Sequence, residues 1–392
     1  MYDVIVIGCG YAGSIMARKY AEDNKSVLIF EKRNHIAGNM YDRLDENGIL
    51  VHMYGPHIAY MNDRSTYDFL GQFTEFTPYE HTVNAEIDGV EVPLPFNLTA
   101  IDRLFSMEKA AVLKNELITA YGMEKKIPIL DLKKSPNAEI QKLAHFIFEK
   151  VFLHYTTKMW DLDPNEIDPS VTARVPVHIS YDNRHFTCPI QVMPKHGYTK
   201  LFENMLKHPN IELRLSTDGL EQINLNAGKI YFNGVEFAGT VVFTGSIDGL
   251  FACEYGRLPY RSLYFEHNTH IADRIQQSTV LNWPDERPAT RQTENKLLVC
   301  QPNVPGITST ITEYPGKYDT SDDKWHEPYY PIPHPDNDAL YAKYKAKAGE
   351  YPNLLMIGRL AEYKYYNMEA IIQSALTSYD MVSKCTKHKE KA

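Results

Sequence analysis

The sequence has no apolar run near the roughly 20 residues that a membrane-spanning helix needs. It is also poor in cysteine. Cys9, Cys188, Cys253, Cys300 and Cys385 are odd in number and scattered, without C-x-x-C spacing. That argues against a disulfide framework and against a structural metal site, and for reduced thiols in a cytoplasmic protein. An excess of positive charge is missing too: the net charge of −9 argues against nucleic acid or an anionic membrane surface as the main partner. Net charge says little about one pocket, so a local arginine cluster for an anionic ligand stays compatible with it. The first residues already read as a core strand, so no signal peptide is expected. Internal repeats are lacking. What the chain has in quantity is tyrosine, 27 residues, many of them in the last third. A flat apolar face with a hydroxyl suits sugar or phosphate sites, and equally suits core and interface packing.

The first 31 residues carry the densest signal. Val4-Ile5-Val6-Ile7 reads as a buried strand, Gly8-Cys9-Gly10-Tyr11-Ala12-Gly13 as a G-x-G-x-x-G turn opening a helix, and Val27-Leu28-Ile29-Phe30 as a second strand ending on Glu31. Gly8 allows the tight turn, Gly10 lets backbone N–H groups approach a pyrophosphate, and Gly13 lets helix and strand pack closely. The helix N-terminus favours the phosphates, and Glu31 can accept both ribose hydroxyls. The whole unit predicts a dinucleotide cofactor.

At 392 residues the chain should form two or three structural domains, some discontinuous. Helical periodicity runs from about Ala100 to Phe152, with Leu104, Met107, Ala111 and Leu113 and later Leu143, Phe146, Ile147 and Val151 on apolar faces. Alternating residues around Asp88-Gly89 predict a hairpin from Val83 to Val92. Val175 to Ile179, Ser262 to Phe265, Ser278 to Leu281 and Ile307 to Thr312 read as strands of an antiparallel sheet. Val241 to Gly245 and Leu354 to Arg359 return to the first domain. The fold class is therefore α/β: a Rossmann-like domain (1–78, 195–248 and 350–392), a helical insertion (98–165) and an antiparallel β-sheet domain (79–97, 166–194 and 249–349). Lys384 to Ala392 reads as a frayed tail.

Further segments carry a resemblance. They are Glu31-Lys32-Arg33-Asn34-His35-Ile36, Tyr54-Gly55-Pro56-His57-Ile58, Tyr155-Thr156-Thr157-Lys158-Met159-Trp160, Arg174-Val175-Pro176-Val177 with Asp182-Asn183, Gly197-Tyr198-Thr199-Lys200, Tyr260-Arg261-Ser262-Leu263, Glu327-Pro328-Tyr329-Tyr330-Pro331 and Gly358 through Tyr366. Together they resemble the bacterial UDP-galactopyranose mutase family, flavoenzymes that interconvert pyranose and furanose forms of UDP-galactose. The resemblance implies FAD as the cofactor, active when reduced, with its ring nitrogen attacking the anomeric carbon and expelling UDP. No net redox change results, so the protein must mainly hold a diphosphate leaving group. It further implies a homodimer through the helical insertion, a nucleotide-sugar substrate and a cytoplasmic role in supplying galactofuranose for cell surface polysaccharide.

By the same resemblance Arg174, on a loop that closes over substrate, and Arg291 grip the diphosphate, and Tyr330 and Tyr365 contact it. Arginine suits this because its planar fork binds two phosphate oxygens and stays charged. Tyr155 stacks on the base, Trp160 lies near the nucleotide, and His57 faces the flavin. Gly8, Gly10, Gly13, Glu31, Arg33, Gly38, Asn39, Gly245 and Arg359 contact the cofactor. Core packing is the competing role for the aromatic residues, and a solvated surface position for the arginines. Four positions depart from the family's pattern: Asn367 replaces an aspartate, His185 a tyrosine, and His81 and Pro93 asparagines. These changes point to a shifted preference, with UDP-N-acetylgalactosamine and dTDP-fucose as alternative substrates. An FAD oxidoreductase of amine-oxidase type and a non-catalytic nucleotide binder are the rival functions.

Overall fold

A computed structural model describes residues 2–160 and 176–389, and all structural statements refer to those residues. Five parallel strands form the first sheet, in the order Ile211–Arg214, β2 (Val27–Phe30), β1 (Val4–Ile7), Thr240–Phe243 and Leu354–Met356. β1 is apolar at every position because both of its faces are covered. Val4 and Val6 turn toward a core shared with helix α1 (Tyr11–Glu22), whereas Ile5 and Ile7 turn toward a second core on the other side. Helices Gly197–Leu206 and Met368–Lys389 pack against α1. The two returning segments predicted from sequence, at Val241 and Leu354, occupy adjacent places beside β1.

A seven-stranded sheet lies next to it, ordered Tyr330–Pro331, Tyr260–His270, Thr308–Lys317, Arg291–Glu294, Val280–Asn282, Val83–Ile87 and Val90–Leu94. It departs from the antiparallel expectation at one place, since Val280–Asn282 runs parallel to Val83–Ile87. These strands are separated by the whole helical insertion and part of the first domain, so no hairpin imposes reversal on them. One predicted strand lies outside this sheet, and a further strand not predicted from the sequence pairs elsewhere. Pro176–Ile179 forms a ribbon with Lys125–Pro128, and Ile190–Pro194 pairs with Ala59–Met61 and Phe76–Pro78, sending Val192 and Met193 into the α1 core.

The helical layer buries Ile101, Leu113, Leu117, Ile140, Leu143 and Ile147 in a core of its own. Met107, placed on the apolar face by periodicity, is instead 82% exposed. Ser106 caps this helix by accepting from Lys109 N, which fixes the phase so that Ala110, Leu113 and Leu117 point inward. Helix Ala138–Ile147 runs through a π-helical turn, Phe148–Leu153, into helix His154–Trp160. Such a turn inserts an extra residue and rotates the helix beyond it. Here that sets the direction of Tyr155.

Candidate active site

The crevice at the carboxyl ends of β1 and Thr240–Phe243 is lined by backbone. Gly8 has φ +101°, and a Cβ there would sit 2.1 Å from Thr244 Oγ1, which itself donates to Ile7 O at 2.9 Å. A Cβ on Gly13 would meet Gly8 O at 2.0 Å, so this glycine brings helix and strand together. A Cβ on Gly10 would meet nothing within 4 Å. Gly10 is also the N-cap of α1 and has no side-chain cap, which leaves the first N–H groups pointing into that open space. Gly38, with φ +54°, returns so closely that its Cβ would lie 3.1 Å from Gly10 Cα, and a Cβ on Gly245 would press on the Phe243 ring. Gly358 (φ +108°), part of the Gly358–Tyr366 segment but not among the cofactor contacts expected from it, closes the same crevice beside Ala12 and Thr244.

Glu31 is buried at the end of β2. Its oxygens accept from Cys9 N at 2.8 Å and Arg33 N at 2.9 Å, so it braces the glycine turn and keeps further lone pairs for a ribose. Arg33 donates to Asn39 Oδ1 at 3.0 Å and to Glu327 Oε2 at 2.9 Å, and lies 4.6 Å from the Tyr54 ring centroid. Nothing local in the sequence marked Glu327 as its partner.

The second half of the site gathers around Arg291. Its Nε lies 2.7 Å from Glu313 Oε1, a carboxylate 2% exposed, though the pair lacks the alignment of a hydrogen bond at that oxygen. Burial opposes the charge on Arg291, yet Glu313, with the nearby Tyr155 and Tyr330, holds it above the ordinary arginine range. Arg359 stacks on Tyr330 at 5.1 Å and on Tyr365 at 5.5 Å, and donates to Tyr329 O and Tyr366 O. Burial, then Tyr365, pushes the Tyr330 hydroxyl up to about 12, so it is a neutral donor. His57 Nδ1 faces Gly55 O at 2.9 Å; a carbonyl only accepts, so Nδ1 carries the proton and Nε2 is left as an acceptor. Burial, His52 and the guanidinium groups of Arg359 and Arg291 lower its pKa to about 3. His81 and His185 are held neutral as well, by burial and by Arg291 among other charges. Arg291 and Arg359 thus bear on the neutral imidazole of His57, and Arg291 on those of His81 and His185, with the Glu313 carboxylate against Arg291.

A model of the UDP-galactopyranose mutase family matches residues 150–365, and one of an NAD(P)-binding Rossmann-like domain matches residues 6–73. The UDP-galactopyranose mutase of Mycoplasma pneumoniae is 37% identical over 384 residues, covering 97% of this chain and 96% of the relative. The chain belongs to the UDP-galactopyranose mutase family. The dTDP-fucopyranose mutase of Escherichia coli is 34% identical over 378 residues, covering 96% and 97%. Among solved structures, a reduced UDP-galactopyranose mutase superposes with a TM-score of 0.68 at 16% identity, covering 98% of this chain and 96% of that one. Cyclohexylamine oxidase from Brevibacterium oxydans gives 0.56 at 14%, covering 98% and 99%. At such identities the structures attest the shared fold alone.

Membership in the mutase family makes FAD the cofactor, and the crevice fits it. The uncapped α1 N-terminus and the open space at Gly10 suit a pyrophosphate, and the Glu31 carboxylate, with lone pairs left over, suits a ribose. Arg174 lies outside the described residues, and Trp160 ends its helix. Three of the four positions that the resemblance marks as departures, Asn367, His81 and His185, are connected through Tyr60 and Phe186. Asn367 bonds the Tyr60 hydroxyl and caps helix Met368–Lys389 through Ala370 N at 2.8 Å. Tyr60 stacks on Phe186 at 3.8 Å, and Phe186 stacks on His81 and meets His185 edge-on. His185 is anchored by Nδ1 to Leu94 O at 3.0 Å. Pro93 sits in an edge strand opposite Asn84. Among the described residues no group of acidic, histidine and cysteine side chains could hold a metal ion, and no helix is long and apolar enough to cross a membrane.

Proposed function

We propose that this protein interconverts the pyranose and furanose forms of a nucleotide sugar, UDP-galactose first among them, on reduced FAD. When bound, the reduced cofactor supplies the electron-rich centre that attacks the anomeric carbon. The chain's own residues hold the leaving group. The Arg291 guanidinium binds the diphosphate together with Arg174, Tyr330 and Tyr365 donate hydroxyls to phosphate oxygens, and Tyr155 offers its ring to the base, worth about 1–3 kcal/mol. His57, neutral with Nδ1–H committed to Gly55, serves as an acceptor beside the flavin ring and not as an acid.

The observation that carries this reading is the Arg291–Glu313 pair set among Tyr155, Tyr330 and Tyr365, a clamp suited to an anionic leaving group. The test is chromatography of UDP-galactose after incubation with dithionite-reduced protein, where a furanose product is expected without consumption of reductant. Net oxidation of the substrate would favour the amine-oxidase alternative. Trapping a sugar on the flavin by hydride reduction separates the mutase from a mere nucleotide binder.

A second reading keeps the chemistry and changes the sugar or base, to UDP-N-acetylgalactosamine or dTDP-fucose. The wall of Tyr60, Phe186, His81 and His185 supports it, since by the resemblance His81 puts a ring where an asparagine is usual and Asn367, beside Tyr60, puts an amide where a carboxylate is usual. Comparing furanose yields from the three nucleotide sugars decides; a tenfold or greater preference for UDP-galactose removes the second reading. The protein works as a homodimer in the cytoplasm in this proposal, and light scattering checks the stoichiometry.

A further inference from the structure

Lys158 lies outside every role described so far, and it is more fully engaged than any other lysine among the described residues. Its Nζ donates to three main-chain carbonyls, Trp283 O, Arg287 O and Ala289 O, each at 2.8 Å. An ammonium group has three N–H donors and no acceptor, so this set uses it completely. The three carbonyls belong to one loop, which Trp283 N closes on Thr290 O at 2.9 Å. Thr290 N in turn donates to Glu313 O at 2.9 Å, immediately before Arg291. Lys158 therefore grips the segment that delivers Arg291, two residues upstream of it.

The other end of the connection is equally direct. Tyr155 and Lys158 are three apart on helix His154–Trp160, and residues at that spacing share a face. The last carbonyls of this helix are also held. Arg261, buried on strand Tyr260–His270, donates from Nε to Met159 O at 2.8 Å and from Nη2 to Lys158 O at 3.0 Å. A cation at a helix C-terminus is favourable for the dipole. The short helix is thus fastened to the sheet by two cations, Lys158 at the loop before Arg291 and Arg261 at the helix's own C-terminal carbonyls. Burial, eased by Asp285, brings the Lys158 pKa down to about 8, so the ammonium form prevails at neutral pH.

We infer that Lys158 is a positioning residue: it sets the distance between the Tyr155 ring and the Arg291 guanidinium, and so selects a ligand whose aromatic base and diphosphate span both. This rests on the proposed roles of Tyr155 and Arg291 in nucleotide binding. A ligand touching only one end should be indifferent to the clasp, which separates positioning from general damage.

The experiment measures binding of UDP, uridine and inorganic pyrophosphate to the oxidised holoenzyme by calorimetry, for the parent and for Lys158→Met. UDP affinity is expected to fall at least tenfold, while uridine and pyrophosphate change less than twofold and flavin content stays full. Lys158→Gln, which keeps two donors, should fall between the two. UDP binding within twofold of the parent overturns the inference, as does equal weakening of all three ligands or loss of flavin from both variants. A parent protein that ignores UDP overturns the proposed function itself, and the inference with it.

Discussion

Arg291 and Glu313 are direct register partners on neighbouring antiparallel strands, and their charged groups meet at 2.7 Å on the face that looks into the cleft. The carboxylate is almost wholly buried, so removing the guanidinium strands a charge. Arg291→Ala should lose stability as well as turnover, by about 3 kcal/mol in denaturant melts. The double variant Arg291→Ala with Glu313→Gln should regain most of that stability and none of the activity. A single variant as stable as the parent would show that the pair is not a structural unit.

Gly8 and Gly10 should separate folding from cofactor binding. Gly8→Ala places a methyl against Thr244 Oγ1 at a positive φ, so the apoprotein should melt several degrees lower. Gly10→Ala meets nothing in the protein alone and should leave apoprotein melting unchanged, yet abolish FAD uptake measured by flavin absorbance after gel filtration.

Arg359→Lys is not a conservative change. The guanidinium lies over two tyrosine rings while bonding two carbonyls, and an ammonium cannot do both. Flavin retention on dialysis should fall by about tenfold, consistent with loss of roughly 1.4 kcal/mol. Retention equal to the parent would remove Arg359 from the cofactor's contacts.

His57 gives a pH signature. Its folded pKa of about 3 lies below the unfolded value near 6.5. Between these values the unfolded chain binds a proton that the folded chain does not. Stability therefore rises with pH across that window and levels off above it. His57→Gln should remove up to about 1.4 kcal/mol per pH unit of that slope, measured as denaturant midpoints from about pH 4 to about pH 7. An unchanged slope would assign the acid sensitivity to other groups, His81 and His185 first.

The cofactor half was readable because its signals are local: β1, α1, β2 and the glycines between them follow one another within 31 residues. The motif residues around Arg291 were readable only as a resemblance, since the contacts that bring them together are long-range. Glu313 became visible once two strands were in register, Glu327 once a loop returned to Arg33, and Lys158 once three carbonyls of one loop were seen to converge. Main-chain acceptors leave no trace in a sequence. The parallel pairing of Val280–Asn282 with Val83–Ile87 was likewise invisible, because period-two alternation reads the same in either direction. Asn367, His81 and His185 looked like separate changes until Tyr60 and Phe186 joined them.

Both margins of the seven-stranded sheet carry a proline, Pro331 in one edge strand and Pro93 in the other. Each lacks the amide proton that a stray strand would need to dock and extend the ladder. The broad sheet that presents Arg291 is thereby guarded against self-templated aggregation while the chain is still assembling around it. A proline at position 93 has this protective effect whatever it does to the sugar.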